Sequence, residues 1–174
     1  MRANRLLLCG AALASALVLA ACGGSSSSSS STTASAANRT VALKSIGGVG
    51  KVLVDSNGMA LYTSNMDAAG KPACAGACTS IWKPLTLASG TPSAASGVGK
   101  VDVVMRADGT RQVAVAGRPL YTFVQDSPGH VTGNGVSDAF AGRHFTWAAV
   151  VAGGKNAPAG ASGQGGGYQT GGGY

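Results

Sequence analysis

Leu120-Tyr121-Thr122-Phe123-Val124-Gln125-Asp126 is the stretch around which the chain is organised, and Leu61-Tyr62-Thr63-Ser64-Asn65-Met66-Asp67 repeats it. Both read Leu-Tyr-Thr-x-x-x-Asp, 59 residues apart. Two related halves are therefore expected. In an extended strand Tyr121 and Phe123 face one side, while Leu120, Thr122 and Val124 face the other. These residue types suit a half-buried pleated surface. Asp126 heads Asp-Ser-Pro-Gly, a tight-turn sequence, so it is expected to end the strand. Asp67 precedes Ala-Ala-Gly-Lys-Pro, a turn of less defined type. Two readings follow. Either each copy is a strand closed by a capping Asp, or Tyr62, Asp67, Tyr121, Phe123 and Asp126 form a binding motif. Duplication favours the cap, because a repeated fold keeps its structural Asp in both copies.

Working outward, the halves align. Val41–Lys44, Lys51–Asp55 and Met59–Thr63 read as strands, with turns at Gly47-Gly48 and Asp55-Ser-Asn-Gly58. Val101–Arg106, Arg111–Val115 and Pro119–Val124 do the same, with turns at Asp108-Gly109 and Ala116-Gly117. Asn-Gly and Asp-Gly between strand-like runs are hairpin signals. Each half is thus expected to be a three-strand meander followed by a Trp-centred segment. Around Trp82 that segment is broken by Pro84 and reads as an edge piece. His144–Val151, around Trp147, reads as a full strand. Both Trp are expected in the core. The fold class is all-β, an antiparallel sandwich or small barrel from two tandem repeats. Repeats at 41–87 and 100–152 flank a Ser/Gly/Ala-rich linker at 88–99.

The ends differ in kind. Met1–Arg5 is basic, and Leu6 to Ala21 is an uncharged run of 16 residues, short for a spanning helix. Leu19-Ala20-Ala21-Cys22 resembles the lipobox of bacterial lipoproteins. That resemblance implies a signal peptide over 1–21, an acyl anchor at Cys22 and an extracytoplasmic, membrane-held product. Residues 22–40, with serines from Ser25 to Ser31, read as a flexible tether. Residues 153–174 hold 10 glycines in 22 positions, and Gly-Gly-Gly-Tyr occurs twice, so a disordered tail is expected. Removing 1–21 takes Arg2 and Arg5 from the 13 basic residues and leaves 11 against 6 acidic, a scattered excess of 5. No basic stripe with interleaved aromatics exists, which argues against a nucleic-acid partner. Every acidic residue is Asp.

Taken together, residues 45 to 151 resemble a bacterial family of secreted or lipid-anchored repeats of unknown function, marked by Tyr-x-(Phe/Trp/Tyr)-x-x-Asp. Tyr121, Phe123 and Asp126 match. Tyr62 and Asp67 match in the first half, where Ser64 stands for the aromatic. The family's Cys-x-x-x-Cys and Trp-Pro-Pro-Leu correspond to Cys74–Cys78 and Trp82-Lys83-Pro84-Leu85, with Lys for the first Pro. The resemblance implies no activity.

Cys9 leaves with the signal peptide and Cys22 takes the lipid, so Cys74 and Cys78 remain as a pair outside the cytoplasm. A disulfide is the first expectation. Closing five residues stabilises by about 2 kcal/mol on chain-entropy grounds. A redox dithiol or a copper or zinc site stays open. A two-thiolate metal site needs further ligands, and no spacing links His130, His144, Met59 or Met66 to the pair. Enzyme signatures are missing. No Glu supplies a usual carboxylate pair, and no Gly-x-Ser-x-Gly elbow or phosphate loop occurs. The expectation is a non-catalytic binding module without a cofactor, directed at an envelope protein, polymer or small ligand. The alternatives are an adhesive surface protein or a metal or redox role for the cysteine pair.

Overall fold

Hairpin turns fall where the Asp and Gly residues place them. The structure, a computed structural model, describes residues 39–163. Its elements are β1 (Ala42–Ile46), β2 (Gly50–Val54), β3 (Tyr62–Ser64), α1 (Cys78–Ile81), β4 (Trp82–Pro84), β5 (Val101–Met105), β6 (Arg111–Val115), β7 (Arg118–Pro119), β8 (Tyr121–Phe123), β9 (Ser137–Phe140), β10 (Arg143–Val151) and β11 (Lys155–Asn156). Asp55 Oδ1 accepts from the Asn57 and Met59 N–H groups, and Asp108 Oδ1 from Thr110 N–H and Oγ1. These side chains fold the backbone back just after themselves.

The strands form two antiparallel sheets and no closed barrel. The larger runs β1-β2-β10-β3-β8-β4, with β9 and β11 also paired to β10; the smaller is β5-β6-β7. The predicted alternation holds. Tyr62, Tyr121 and Phe123 enter one apolar cluster with Trp82 and Trp147. Leu61 and Leu120 enter a second cluster with Leu53, Val113, Val115 and Val150. The centre of the large sheet is therefore covered on both faces.

Neither half is the simple meander expected. In the second half the run Pro119–Val124 divides at Leu120. Its N–H donates to Val113 O on β6, while its carbonyl accepts from Leu85 N–H. So β7 stays in the small sheet and β8 joins the large one. In the first half β3 leaves β2 after Leu61 and inserts between β10 and β8.

Residues 153–163, expected to belong to a disordered tail, are bonded to the domain. β11 pairs with β10, Asn134 Nδ2 holds the Pro158 and Ala161 carbonyls, and Gly163 N–H donates to Val131 O. Arg118 further binds Gly154 O and Asn156 Oδ1. Composition suggested disorder here, but side-chain donors from elsewhere in the chain hold residues 153–163 in place. Residues 164–174, with both Tyr of the Gly-Gly-Gly-Tyr repeats, lie outside the described residues, as do the expected signal segment, Cys22 and the serine run. At the other end, Thr40 N–H binds Ser93 Oγ and Val41 pairs with Ala94. This ties the end of the expected tether to the inter-repeat segment.

Candidate functional site

The two Leu-Tyr-Thr strands lie side by side, antiparallel, with Tyr62 directly opposite Tyr121. Each repeat's Trp strand then pairs with the other repeat's Tyr strand. Trp82, Lys83 and Pro84 oppose Phe123, Thr122 and Tyr121. Trp147, Ala148 and Ala149 oppose Ser64, Thr63 and Tyr62. Matching Tyr62 to Tyr121 and Trp82 to Trp147 maps one set of pairs onto the other. The repeats are thus related by a pseudo-two-fold between the tyrosines. Pro84 occupies the position of Ala149. On the second side Ala149 N–H donates to Asn134 Oδ1. On the first side proline removes that donor from the sheet edge altogether.

The same exchange brings each motif Asp to the opposite repeat's Tyr. Tyr62 Oη donates to Asp126 Oδ2 at 2.5 Å, and Tyr121 Oη donates to Asp67 Oδ1 at 3.2 Å. Each Asp also ties down its own loop six residues on. Asp126 Oδ1 accepts from Thr132 N–H at 2.9 Å and Thr132 Oγ1 at 2.6 Å. Asp67 Oδ1 accepts from Ala73 N–H at 2.7 Å. Gly133 N–H adds a bond to Tyr62 Oη at 3.2 Å. A Cβ at Gly133 would lie 2.7 Å from Trp82 Cη2, so only glycine permits this approach.

Burial pushes both carboxyls above the usual Asp range, against the downward pull of their hydrogen-bond donors. Burial, then the charge of the partner Asp, pushes both phenols well above the ordinary tyrosine range. These groups are arranged to stay as hydrogen-bonded partners. Tyr62 and Tyr121 are fully buried, Asp126 is 9% exposed, and Asp67 is the least covered of the four, partly open to solvent.

Beside them the aromatics form a continuous stack. Phe123 lies on Trp82 (4.3 Å between centroids), Trp82 on Trp147 (4.0 Å) and Trp147 on Phe145 (5.8 Å), with interplanar angles of 19°, 10° and 11°. Tyr62 meets Trp82 edge-on and Tyr121 meets Trp147 edge-on. Trp82 Nε1 donates to Asp138 Oδ2 at 2.7 Å. Trp147 Nε1 is buried without a partner among the described residues.

Cys74 and Cys78 are joined by a disulfide, and both are fully buried against this cluster. The buried Arg106 links the bridge to the small sheet, donating to Cys74 O at 2.7 Å and to Gln112 Oε1 at 2.6 Å. The described residues hold no group of three or more His, Cys, Asp or Glu side chains placed to bind a metal. His130 sits in the turn after Pro128 with Nδ1 2.8 Å from Ser127 Oγ, and His144 is exposed on β10. Met66 packs against the aromatic cluster.

Sequence reasoning missed several parts of this arrangement. Strand β9, which carries Asp138, went unread although Ala141-Gly142 repeats the Ala-Gly of the turn at Ala116-Gly117. All four residues take positive φ, as a two-residue hairpin turn requires. Phe145 was legible through its two-residue spacing from Trp147, which places both on one strand face. Nothing local marks Arg106 or Gln112 as buried.

The pattern of the family described as "secreted repeat of unknown function" matches residues 46–86 and 102–150, more than half of the chain. Both matched segments carry one Tyr strand and one Trp strand. Comparison with curated proteins and with solved structures finds no match. With its two exchanged repeats, the chain belongs to this family of secreted repeats.

Proposed function

We propose that this secreted repeat protein is a lipid-anchored, non-catalytic binding module of the bacterial cell envelope, in which the Tyr–Asp motif builds the scaffold. The observation that carries the reading is the reciprocal pairing of Tyr62 with Asp126 and Tyr121 with Asp67. It directs the polar ends of the motif toward each other rather than outward, with the Tyr62–Asp126 pair buried and the Tyr121–Asp67 pair part-buried. Contact with a partner then falls to exposed edges and loops. Anchoring is supported by Leu19-Ala20-Ala21-Cys22 and the serine run that follows. A redox or metal role for Cys74 and Cys78 would first require opening a bridge whose residues are both buried.

Two measurements test the reading. Fatty-acid labelling and membrane fractionation should show an acylated, membrane-held chain, with both properties lost in Cys22→Ser. Saturable binding of the purified protein to isolated envelope should survive Tyr121→Phe. Loss of binding with the circular dichroism unchanged would return the motif to the binding face.

A further inference from the structure

Most strand edges of this protein are defended. Pro84 removes a donor from β4, and Pro119 does so on the two-residue β7. β1 exposes Lys44 and Ser45, and Val41 just before it is bonded to Ser93 and Ala95. β9 is only four residues long. The five-residue β5, Val101-Asp102-Val103-Val104-Met105, has no Pro, Gly or Lys, its one charge, Asp102, is paired with Lys100, and among the described residues it pairs only with β6.

The hydrogen-bond alternation fixes which of its backbone groups are free. Ala116 N–H donates to Lys100 O, and Arg106 N–H to Thr110 O. With the register Asp102↔Ala114 and Val104↔Gln112, the even residues bond to β6. The N–H and C=O groups of Val101, Val103 and Met105 therefore point away from the sheet, and none has a partner among the described residues. Met105, 59% exposed, is the most exposed large apolar side chain described.

We infer that β5 is a self-association edge whose occupant is β5 of a second copy of this chain, antiparallel about a two-fold at Val103. This alignment places Val103 opposite its own copy and Val101 opposite Met105 of the second copy. All three carry the outward backbone groups, so they satisfy one another. On that face the row becomes Met105–Val, Val103–Val and Val101–Met, which covers the exposed Met105. An isologous contact needs such self-complementarity. Like charge opposes it little: Asp102 lies diagonally from Asp102 of the second copy, but each is neutralised by its own Lys100. Lys100 falls opposite Arg106 of the second copy, but that guanidinium is held inward by Gln112 and Cys74, and Lys100 already pairs with its own Asp102 at 3.3 Å. A single strand pair is a small interface, so the association is weak and concentration-dependent.

The test is disulfide trapping in the exported protein, with Cys9→Ser and Cys22→Ser so that the added cysteine is the only reactive thiol. Val103→Cys should cross-link to itself under mild oxidation at least tenfold more than the exposed control Val124→Cys. Val101→Cys and Met105→Cys should cross-link when mixed but not singly. Dimer seen by sedimentation should disappear in Val103→Pro, which removes only an outward N–H, and in Met105→Lys, which leaves the backbone unchanged. No trapping at 103 above the control would overturn the inference. So would dimer that persists in a folded Met105→Lys, or a trapping pattern centred on another strand.

Discussion

The two repeats occupy equivalent positions and solve the same problem with different residues. In the second, Phe123 lies opposite Trp82 and stacks on it. In the first, Ser64 lies opposite Trp147, and the ring that stacks on Trp147 is Phe145, from β10 itself. The four-ring stack is thereby nearly symmetric although the motif is not. Ser64 serves its own turn instead, with Oγ accepting from Met66 N–H at 2.9 Å. The lesson is that the position to be filled belongs to the stack, and a departure from the motif in one repeat is met by a residue outside it.

The sharpest way to break this comparison is to remove each capping ring. Phe123→Ala and Phe145→Ala should each cost about 3–5 kcal/mol in urea unfolding. A Phe145→Ala cost below 1 kcal/mol would show that Phe145 does not stand in for the missing motif aromatic.

The tyrosine pairs should differ as well. Tyr62 has the shorter bond and the extra Gly133 N–H, whereas Tyr121 has the longer bond. Tyr62→Phe should cost about 2–3 kcal/mol and Tyr121→Phe about 1 kcal/mol. Equal costs would make the pairs energetically equivalent despite their geometry. The pH dependence follows from the same groups. Both phenols have folded pKa values above the unfolded value of 10.0. Their contribution is thus fully present below pH 10 and is lost as pH rises further, when only the unfolded chain ionises readily. In a titration followed near 295 nm, Tyr62 and Tyr121 should ionise only together with unfolding. For Asp67 and Asp126 the sign is the same in the acid range. Their folded pKa values are raised above 3.8, so their contribution grows as pH falls toward 3.8.

The tryptophans offer a third contrast. Trp82→Phe loses the bond to Asp138 and should cost about 1–3 kcal/mol. Trp147→Phe removes a buried donor that has no partner among the described residues, so it should cost less by about 1 kcal/mol or more. Thermal melts of the two variants decide this. The smallest effect concerns the matched turns. Ala116 and Ala141 both have φ of 49°, a conformation glycine adopts without a Cβ penalty. Ala116→Gly and Ala141→Gly should each raise stability by about 0.5–1 kcal/mol. A fall in melting temperature at one turn alone would show that its methyl group is needed for packing.

The reading of the sequence went furthest where the signal was local. The Asp55 and Asp108 turns, the faces of Leu120 and Tyr121, the edge character of the Trp82 strand and the Cys74–Cys78 bridge all depend on residues close together in the chain. The Tyr-to-Trp spacing, 20 residues in the first repeat and 26 in the second, was also visible, but its consequence was not. The longer segment carries β9, whose Asp138 gives Trp82 a partner across the repeat boundary.

By itself the sequence determined that this is a two-repeat antiparallel protein with a close cysteine pair and buried tryptophans, because alternation, turn chemistry and cysteine spacing act over a few residues; that the pair is a disulfide was an expectation the structure bore out. Only the tertiary structure decided that each Tyr bonds the other repeat's Asp and that each Trp strand pairs across the pseudo-two-fold. The reason is physical. A repeated motif looks the same whether its polar groups close within a copy or between copies. The choice depends on which strands become neighbours, and that is set by packing both faces of the large sheet at once.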